Sequence, residues 1–436
     1  MNQQLMRRLD AWVGKLICLL LTMHRRFTER FNGARPLDSI LFIKLIEQGA
    51  SVLAVDAFER AIDLVGRDKV YLCVFVENRP IIDVLGQMEK GNVFALRNQN
   101  IFVFAIDLVK MLWRARRLGI TATVDLEFFS RGSAIISYLT GARYRVGMHR
   151  YTMDGPYRGD LMTHRISYNP YLHTAVTYRA MVEALSHPVG EIPCNKLVVT
   201  PESTKKAIFK PDPVEIAEVE SLLAARISEG SGVGGPRIIL NPNASDLMPL
   251  RKWPTDRFKK LAELILEDYP DALVILTGAP REAAAAEKIR DDLGSKRVVS
   301  VAGATTMRQL ITLFALSDVL VTNDSGPAHF ASMTKIKNIV LFGPETPKLY
   351  GPIDGNPMPI WAGLACSPCI NALNHRLSPC NNNTCMQVIS VEEVMQKVRQ
   401  SLHGRQQRGV SVHHEPSLPT ERYIAQSNLG GNAHVL

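Results

Sequence analysis

Residues 317–331 read SDVLVTNDSGPAHFA, in which an apolar run is followed at once by polar residues, a glycine and a proline. The apolar run predicts a buried strand that ends near Thr322. Pro327 suits the first turn of a helix, because its missing N–H would be unpaired there anyway. Asp324 or Ser325 can cap that helix. The stretch therefore predicts a strand, a tight loop and a helix in direct succession.

The start of this predicted helix has the properties of an anion site. Exposed N–H groups and the helix dipole attract negative charge there, so the stretch predicts a cradle for a diphosphate. Gly326 lets a ligand approach the backbone closely, and His329, one turn further on, can face the same anion. A plain capped helix with a packed histidine is the alternative interpretation.

The same succession of strand, polar loop and helix repeats along most of the chain. It begins at DSILFIKL in residues 38–45 and starts again at PRIILNPNAS in residues 236–245. Strands that alternate with helices predict the α/β fold class, with parallel sheets covered by helices on both faces and a cleft between two domains. The predicted divisions are an amphipathic N-terminal helix in residues 1–35, one domain in 36–190, a linker region in 191–235, a second domain in 236–403 and a disordered polar tail in 404–436.

The charge of the chain predicts anionic partners. Its net charge is +9, which favours phosphorylated substrates, anionic lipid or nucleic acid without choosing among them. No nucleic-acid recognition motif accompanies the charge, so we expect no nucleic-acid partner.

The N-terminal 35 residues predict contact with a membrane surface. An apolar run around Trp12 and Leu16 is flanked by arginines on both sides, and Lys15 interrupts it. Such a run is too short to span a bilayer but suits a helix lying in the interface, against the inner leaflet. A helix packed on the protein's own core is the alternative. No small-residue cleavage site follows the run, so we expect a cytoplasmic protein that is peripheral on the inner face of the membrane.

Three more polar loops follow predicted strands of the second half. They are NPNASDLMPLRKWP in residues 241–254, TGAPRE in 277–282 and GPETPKLYGP in 343–352. Asparagine and serine side chains in the first loop can form hydrogen bonds, and its arginine and lysine add positive charge. Because ligands bind beyond the carboxyl ends of parallel strands, we expect these loops to line one site.

Together these motifs resemble glycosyltransferase family 9, the group that includes the ADP-heptose:lipopolysaccharide heptosyltransferases. The resemblance rests on DSGPAH, on the loop closing in RKWP, on LTGAPRE and on LFGPETP, and more weakly on ILFIKLIEQGASVLA and VDLEFFSRGSAIISYLTGARYRVGM in the first half. It covers nearly all of residues 38–400. It implies a GT-B architecture, in which two Rossmann-like doubly wound domains face each other across a cleft.

The resemblance also implies a reaction. A sugar such as heptose would move with inversion from a nucleoside-diphosphate sugar, such as ADP-heptose, to a lipopolysaccharide or other lipid-linked acceptor. No cofactor is then required, because a helix start and a lysine stabilise the departing diphosphate, and no Asp-x-Asp pair for a divalent ion is evident. The donor-binding residues that the likeness implies are Ser245, Lys252, Asp324, Ser325, Gly326 and His329. The polar loops themselves add Asn243, Gly278 and Glu345 as predicted donor-binding residues.

The first strand–loop departs from the family pattern. Relatives similar to the heptosyltransferases carry an acidic residue after the glycine, in the place of a general base, whereas this chain has Gly49-Ala50. Glu47 in the same loop is the first candidate for a relocated base, and Glu127 after the VDLEF strand is the second. Asp56, in the following helix, is a third option. If no base replaces the missing acid, the protein is a non-catalytic nucleotide-sugar-binding or scaffold protein; a nucleotide-sugar epimerase on the same fold is a further alternative.

Two other groups of residues are candidates for a binding or structural role. Ser130, Arg131 and Ser133 follow Glu127 and are predicted to contact the acceptor. The cysteines have the spacing C-x2-C-x10-C-x4-C, which is compatible with a four-thiolate structural zinc site, with reduced packed thiols or with disulfides. These cysteines are Cys366, Cys369, Cys380 and Cys385.

Overall fold

The computed structural model of the chain describes residues 3–29, 36–151, 156–192, 194, 196, 198–199, 205–227, 234–244, 248–353 and 356–406. The predicted disordered tail therefore lies outside the described residues except for its first three residues, which continue the last helix.

The first half of the chain forms a parallel six-stranded sheet. In chain order its strands are β1 (Ile40–Ile43), β2 (Val70–Phe75), β3 (Val93–Leu96), β4 (Ala122–Asp125), β5 (Tyr144–Met148) and β6 (His164–Ile166). In space they follow the order β3-β2-β1-β4-β5-β6. The helices of this half are α1 (Gln3–Thr28), α2 (Gln48–Leu53), α3 (Val55–Val65), α4 (Arg79–Leu85), α5 (Ile101–Arg117), α6 (Arg131–Leu139) and α7 (Thr174–Glu183).

The second half repeats this arrangement. Its strands are β7 (Arg237–Asn241), β8 (Leu273–Leu276), β9 (Val298–Ser300), β10 (Val319–Asn323), β11 (Lys337–Phe342) and β12 (Pro357–Trp361), in the spatial order β12-β11-β10-β7-β8-β9. Its helices are α8 (Pro213–Ala224), α9 (Thr255–Asp268), α10 (Ala283–Leu293), α11 (Met307–Ala315), α12 (Gly326–Ala331), α13 (Pro347–Tyr350), α14 (Thr384–Gln387) and α15 (Val391–Gln406).

Each sheet is doubly wound with one switch point, between β1 and β4 in the first and between β7 and β10 in the second. The central strands are buried on both faces, which is why ILFI in β1 and VLVTN in β10 read as continuous apolar runs rather than alternating ones. The predicted α/β fold class with two Rossmann-like domains is confirmed. Crevices at the two switch points, beyond the carboxyl ends of the strands, are where such sheets bind ligands.

Three strands were not predicted from the sequence, namely β3, β6 and β12. β12 carries two prolines, Pro357 and Pro359, and it can do so because it is the edge strand of its sheet. β6 is an edge strand of only three residues, His-Arg-Ile, which is too short to show a hydrophobic pattern.

Part of the region predicted as a linker is helical and packs on the second domain. α8 begins with a capping box in which Asp212 and Glu215 bond each other's backbone. It contacts α11 through an ion pair of Glu215 with Arg308, and β7 through Glu220 and Arg237 at 2.6 Å.

α1 packs against α6 with one face. Asp10 accepts hydrogen bonds from the backbone N–H groups of Arg131 and Gly132 at 2.9 and 2.8 Å, at the start of α6. The opposite face of α1 leaves seven large apolar side chains exposed: Trp12, Val13, Leu16, Leu19, Leu20, Met23 and Phe27. In the described part of the chain, no helix combines the length and apolarity needed to cross a bilayer.

Candidate active site between the two domains

A cavity of about 500 Å³ lies where the carboxyl ends of the two sheets face each other. The first domain contributes the loop after β1, including Glu47, Gly49 and Ala50, and the second contributes the loops after β7, β8, β10 and β11. Polar loops that the sequence places after four strands of the second domain therefore meet at one site, as predicted.

Asparagine side chains fix the loops of the second domain to each other. Asn241, at the end of β7, donates to the carbonyl and hydroxyl oxygens of Thr277 at 3.2 and 3.1 Å, and Asn243 donates to the same carbonyl at 3.3 Å. Asn323, at the end of β10, donates to the carbonyl oxygen of Asn243 at 3.0 Å and accepts from the backbone N–H of Trp253. These amides hold three loops in one conformation, so the cavity wall is largely pre-formed.

Two buried carboxyl groups and one guanidinium form the floor of the cavity. Arg251 Nη1 lies 3.3 Å from Asp324 Oδ2 and 3.2 Å from Glu345 Oε2. Burial raises the pKa of Glu345 well above its usual range, and the Asp324 charge adds to this while Arg251 opposes it. Glu345 therefore holds a proton more readily than an exposed glutamate. A carboxylate accepts hydrogen bonds and a protonated carboxyl also donates one, so this pair suits the hydroxyl groups of a sugar.

His329 lines the same cavity as a neutral imidazole. Burial lowers its pKa to about 4, Asp324 opposes this, and His173 and Arg251 lower the pKa further. Its Nδ1 atom has no hydrogen-bond partner among the described residues. A buried polar atom without a partner costs free energy unless a ligand or water supplies one, so His329 is an expected ligand contact.

Acidification is expected to destabilise the wild-type protein more than the His329→Gln variant. The unfolded chain protonates this histidine near its ordinary pKa of 6.5, but the folded protein only near 4, so stability falls as pH drops between these values. The excess loss on going from about pH 7 to about pH 4.5 should be roughly 2–3 kcal/mol. Urea unfolding of both proteins at the two pH values measures it. Equal losses in the two proteins would show that His329 is not held neutral by the fold.

The two domains touch directly beside His329. A Cβ atom on Gly49 would lie 2.5 Å from the His329 ring and 3.3 Å from the Cα atom of Gly326. Only glycine allows this approach. His173, at the start of α7, adds a second contact by donating from Nε2 to the carbonyl oxygen of Gly351 at 2.9 Å. α2 of the first domain, which carries Gly49, thus forms one side of the cavity, opposite the loops of the second domain.

An ion pair joins the domains at the same cavity. Glu47 Oε1 contacts Arg376 Nη1, and both residues line the cavity. Both have a left-handed backbone, with φ of 67° at Glu47 and 57° at Arg376, which is uncommon for residues other than glycine. The Arg376 guanidinium also lies 5.5 Å from the centre of the Tyr350 ring. Backbone conformations of this kind concentrate at functional sites, where the surrounding structure holds them.

Arg376 was not found from the sequence. It lies in an irregular segment between cysteines, where no periodicity indicates the direction of a side chain. The predicted candidate Glu47, by contrast, is at the cavity.

Glu127 is not at the cavity. Its Oε1 atom accepts hydrogen bonds from Lys44 Nζ and from the backbone N–H of Ile46, both at 3.0 Å, and the pair with Lys44 is buried. Glu127 therefore braces the loop that carries Glu47. Asp56 is also buried, and it accepts from Arg179 at 2.9 Å. Neither arrangement supports the predicted role as a base, because the carboxylates are engaged away from the cavity.

The predicted acceptor residues are engaged inside the first domain. Arg131 is buried and forms an ion pair with Asp10 at 3.2 Å. Ser133 is buried and donates to Asp125 at 2.9 Å. Ser130 caps α6 by accepting from the N–H of Ser133. Because their polar groups are occupied and none of the three lines the cavity, the structure does not support their predicted contact with an acceptor.

The predicted donor residues divide into those at the cavity and those away from it. Asn243, Gly278, Asp324, Ser325, Gly326, His329 and Glu345 line it. Ser325 does not cap α12 as predicted, since its hydroxyl donates instead to the carbonyl oxygen of Asn323 at 3.2 Å. Lys252 is exposed and is not among the lining residues, whereas its neighbour Arg251 is. Ser245 lies outside the described residues.

Of the three alternatives for the four clustered cysteines, the described residues show reduced thiols and neither a zinc site nor disulfides. In the described part of the chain, no three or more metal-ligating side chains are arranged to hold a metal ion. Cys385 is buried near Gly343, Cys366 is exposed, and the thiols of Cys369 and Cys380 contact Ser378 and Asn382. All four are free thiols. Burial, more than the neighbouring thiols, raises the pKa of Cys385.

Two doubly wound parallel domains that share a cavity at their facing carboxyl edges define the GT-B class of glycosyltransferase fold. A family model described as "Glycosyltransferase family 9 (heptosyltransferase)" matches residues 130–377, more than half of the chain. The chain belongs to glycosyltransferase family 9, and the predicted family resemblance is confirmed.

Individual relatives match over different shares of the chain. A lipooligosaccharide heptosyltransferase 2 of Campylobacter jejuni is 27% identical over 169 residues, which are 38% of this chain and 51% of the relative. The chain thus spans about half the length of the curated relatives it matches. Among solved structures, the ADP-heptose lps heptosyltransferase II of Escherichia coli aligns with a TM-score of 0.65 at 17% identity, covering 84% of this chain and 99% of the other. An Escherichia coli heptosyltransferase solved with ADP-2-deoxy-2-fluoro heptose aligns with a TM-score of 0.56 at 15% identity, covering 83% and 99%.

Proposed function

We propose that the protein is an inverting, metal-independent glycosyltransferase that moves a sugar from a nucleoside-diphosphate sugar to a lipid-linked acceptor. The observation that carries this proposal is the polar cavity shared by both domains, with buried carboxyl groups on one wall and Glu47 on the other. The names of the relatives, which are heptosyltransferases acting on lipooligosaccharide or lipopolysaccharide, favour ADP-heptose as donor and a lipopolysaccharide core as acceptor.

The donor would lie along the second domain. Asp324 and Glu345 would form hydrogen bonds with sugar hydroxyls, as acceptors and, where a carboxyl group is protonated, also as a donor. The unpartnered Nδ1 of His329 would complete this set. The diphosphate would lie against Ser325 and Gly326, where negative charge develops as the bond to the sugar breaks. Asn243 and Gly278 would border the nucleoside side of the cavity.

Glu47 would act as the general base. The acceptor hydroxyl attacks the anomeric carbon from the face opposite the diphosphate, its proton passes to the Glu47 carboxylate, and the bond from the anomeric carbon to the diphosphate oxygen breaks. Glu47 comes from the first domain and faces the donor wall, which is the placement this role requires. Arg376 would hold the carboxylate in place until acceptor binds.

The membrane contact of α1 is part of this proposal. Its outer face is apolar, while its inner face is fixed to the first domain by Asp10 and by Arg25, which lies 3.0 Å from Asp160. A helix held in this way can lie in the lipid interface and bring the enzyme to an acceptor at the cytoplasmic face of the membrane.

Ala50 favours one other function, a nucleotide-sugar-binding protein without catalysis, because the acid of the family pattern is absent there. Such a protein would bind the donor as the enzyme does. An assay of sugar transfer therefore distinguishes the enzyme from the non-catalytic protein. An assay of donor binding tests the donor site that both functions require.

A screen of thermal stability against ADP-, GDP-, UDP- and dTDP-sugars tests the donor site. A ligand at about a hundredfold excess over its dissociation constant should stabilise the folded protein by about 2.7 kcal/mol. We expect one nucleotide class to stabilise wild type, and the Asp324→Ala variant to lose the added stabilisation that the sugar gives over the free nucleoside diphosphate. Asp291→Ala, an exposed substitution, is the control. If no nucleotide sugar stabilises the protein, the proposed donor site is wrong.

A further inference from the structure

α5 exposes a second apolar stripe that the proposed reaction does not use. Phe102, Ile106, Val109 and Trp113 follow one another at intervals of four, three and four residues, which places them on one face of the helix. Their side chains are 78%, 52%, 65% and 62% exposed. The opposite face packs on the sheet through Met111 and Ala115. The stripe therefore does not contribute to the hydrophobic core of the domain.

The charged residues around this stripe are basic. Lys110, Arg114, Arg116 and Arg117 are exposed along the C-terminal half of α5, and the Arg117 guanidinium lies 5.2 Å from the Trp113 ring. The acidic residue of the helix, Asp107, is neutralised by Arg97 at 2.8 Å. A tryptophan and an apolar stripe bordered by arginines match the interface of an anionic bilayer, where the ring lies at headgroup level and the guanidinium groups meet lipid phosphate.

α5 and α1 are both linked to α6. Ala115 of α5 and Ile136 of α6 pack in one cluster on one face of the first sheet, together with Leu41 and Ile43 of β1. α1 in turn packs on α6, where Cys18 contacts the cluster around Ala134. α5 and α1 thus each pack in a cluster with α6. Of the 22 large hydrophobic side chains that the described residues expose, seven lie on α1 and five on α5.

We propose that the α5 stripe is a second lipid contact, and that α5 and α1 together set the orientation of the first domain on an anionic membrane. This rests on the proposed membrane contact of α1, since both helices would face one bilayer. α5 directly follows β3, so the stripe begins beside the carboxyl edge of the sheet, the edge at which the cavity lies. A lipid-linked acceptor would then reach the cavity from the end of the stripe at Phe102.

Two natural tryptophans report on the two helices separately. Trp12 is on α1 and Trp113 on α5, whereas Trp253 is buried and Trp361 is on β12. We would mix the Trp12→Phe, Trp113→Phe and double variants with phosphatidylglycerol–phosphatidylcholine vesicles whose acyl chains carry bromine. We expect the bromine to quench Trp113 in the Trp12→Phe variant and Trp12 in the Trp113→Phe variant, with little quenching in the double variant.

Vesicle cosedimentation of Val109→Glu supplies an independent measurement. Val214 on α8 is 67% exposed, close to the 65% of Val109, so Val214→Glu is a matched control on another helix. We expect Val109→Glu to bind vesicles about tenfold more weakly than wild type and Val214→Glu to bind as wild type does.

The results of these experiments distinguish a failure of the proposed α5 contact from a failure of the proposed function. Quenching of Trp12 without quenching of Trp113, with equal vesicle binding by Val109→Glu, would overturn the α5 contact and leave the α1 contact standing. Quenching of neither would remove both. If Trp113 fluorescence shifts with protein concentration in the absence of lipid, and sedimentation shows a dimer that Val109→Glu abolishes, the stripe binds a second copy of the chain and the inference is wrong. Transfer to a detergent-soluble acceptor does not depend on any of these results.

Discussion

Glu47→Gln is expected to slow sugar transfer by at least about 10²-fold while leaving donor affinity nearly unchanged. The amide keeps the size of the side chain and can still meet Arg376, but it cannot accept a proton from the acceptor hydroxyl. The loss should therefore appear in kcat rather than in the KM for the donor. Release of nucleoside diphosphate in the presence of acceptor measures it.

Glu127→Gln is the matched comparison. Glu127 lies beside the same loop, but it is engaged with Lys44 and with the backbone of Ile46. We expect this variant to lose stability, because Lys44 is left as a buried charge without its partner, and to keep far more activity than Glu47→Gln. The reverse order of activities would assign the base to Glu127 and refute the role of Glu47.

Arg251→Met is expected to reduce the free energy of unfolding by about 3–5 kcal/mol. The methionine leaves Asp324 and Glu345 buried side by side without the cation that faces both. The deficit should be larger at about pH 8 than at about pH 5, because loss of Arg251 removes the charge that lowers the pKa of Glu345 in the fold. A carboxyl group whose pKa is raised in the folded state costs stability as the pH rises above its ordinary value. Urea unfolding at the two pH values measures both effects.

Two further variants test the cause of that loss. Arg290→Met removes an arginine that is 42% exposed and paired on the surface of α10, so it should cost less than about 1 kcal/mol. Adding Glu345→Gln to Arg251→Met should recover part of the stability, because one of the two carboxyl groups is then neutral. A double variant no more stable than Arg251→Met would mean that charge is not the reason.

The fold could be predicted from the sequence because its central strands are long apolar runs that precede loops with distinct turn residues. Buried strands such as VYLCVF in β2 and KNIVLF in β11 carry this pattern. The strands that were not predicted are short or lie at the edge of a sheet. Polar residues and proline are tolerated in edge strands, so the apolar run is interrupted there. Parallel strands then bring their following loops to one edge, which is why most predicted donor residues meet at the cavity.

The remaining errors concern the direction and the partners of side chains. In the turn Pro249–Arg251, the side chain of Arg251 points into the cavity and that of the following Lys252 does not. So short a turn has no hydrophobic periodicity from which the two directions could be predicted. Arg131 and Ser133 resemble ligand-binding residues in a loop, but Asp10 and Asp125 satisfy them, and the contact with Asp10 spans 121 residues of sequence. Arg376 was missed for the same reason, because its contact with Glu47 joins opposite domains.

We propose that this cavity transfers a sugar from a nucleoside diphosphate to a lipid-linked acceptor. The release of ADP from ADP-heptose by the wild-type protein, measured with and without a heptose-deficient lipopolysaccharide core, tests this transfer together with the mass of the glycolipid product. We predict ADP release that requires the acceptor and a product heavier by one heptose. ADP release without any change in the acceptor's mass, or no release with any acceptor while the donor binds, would contradict it.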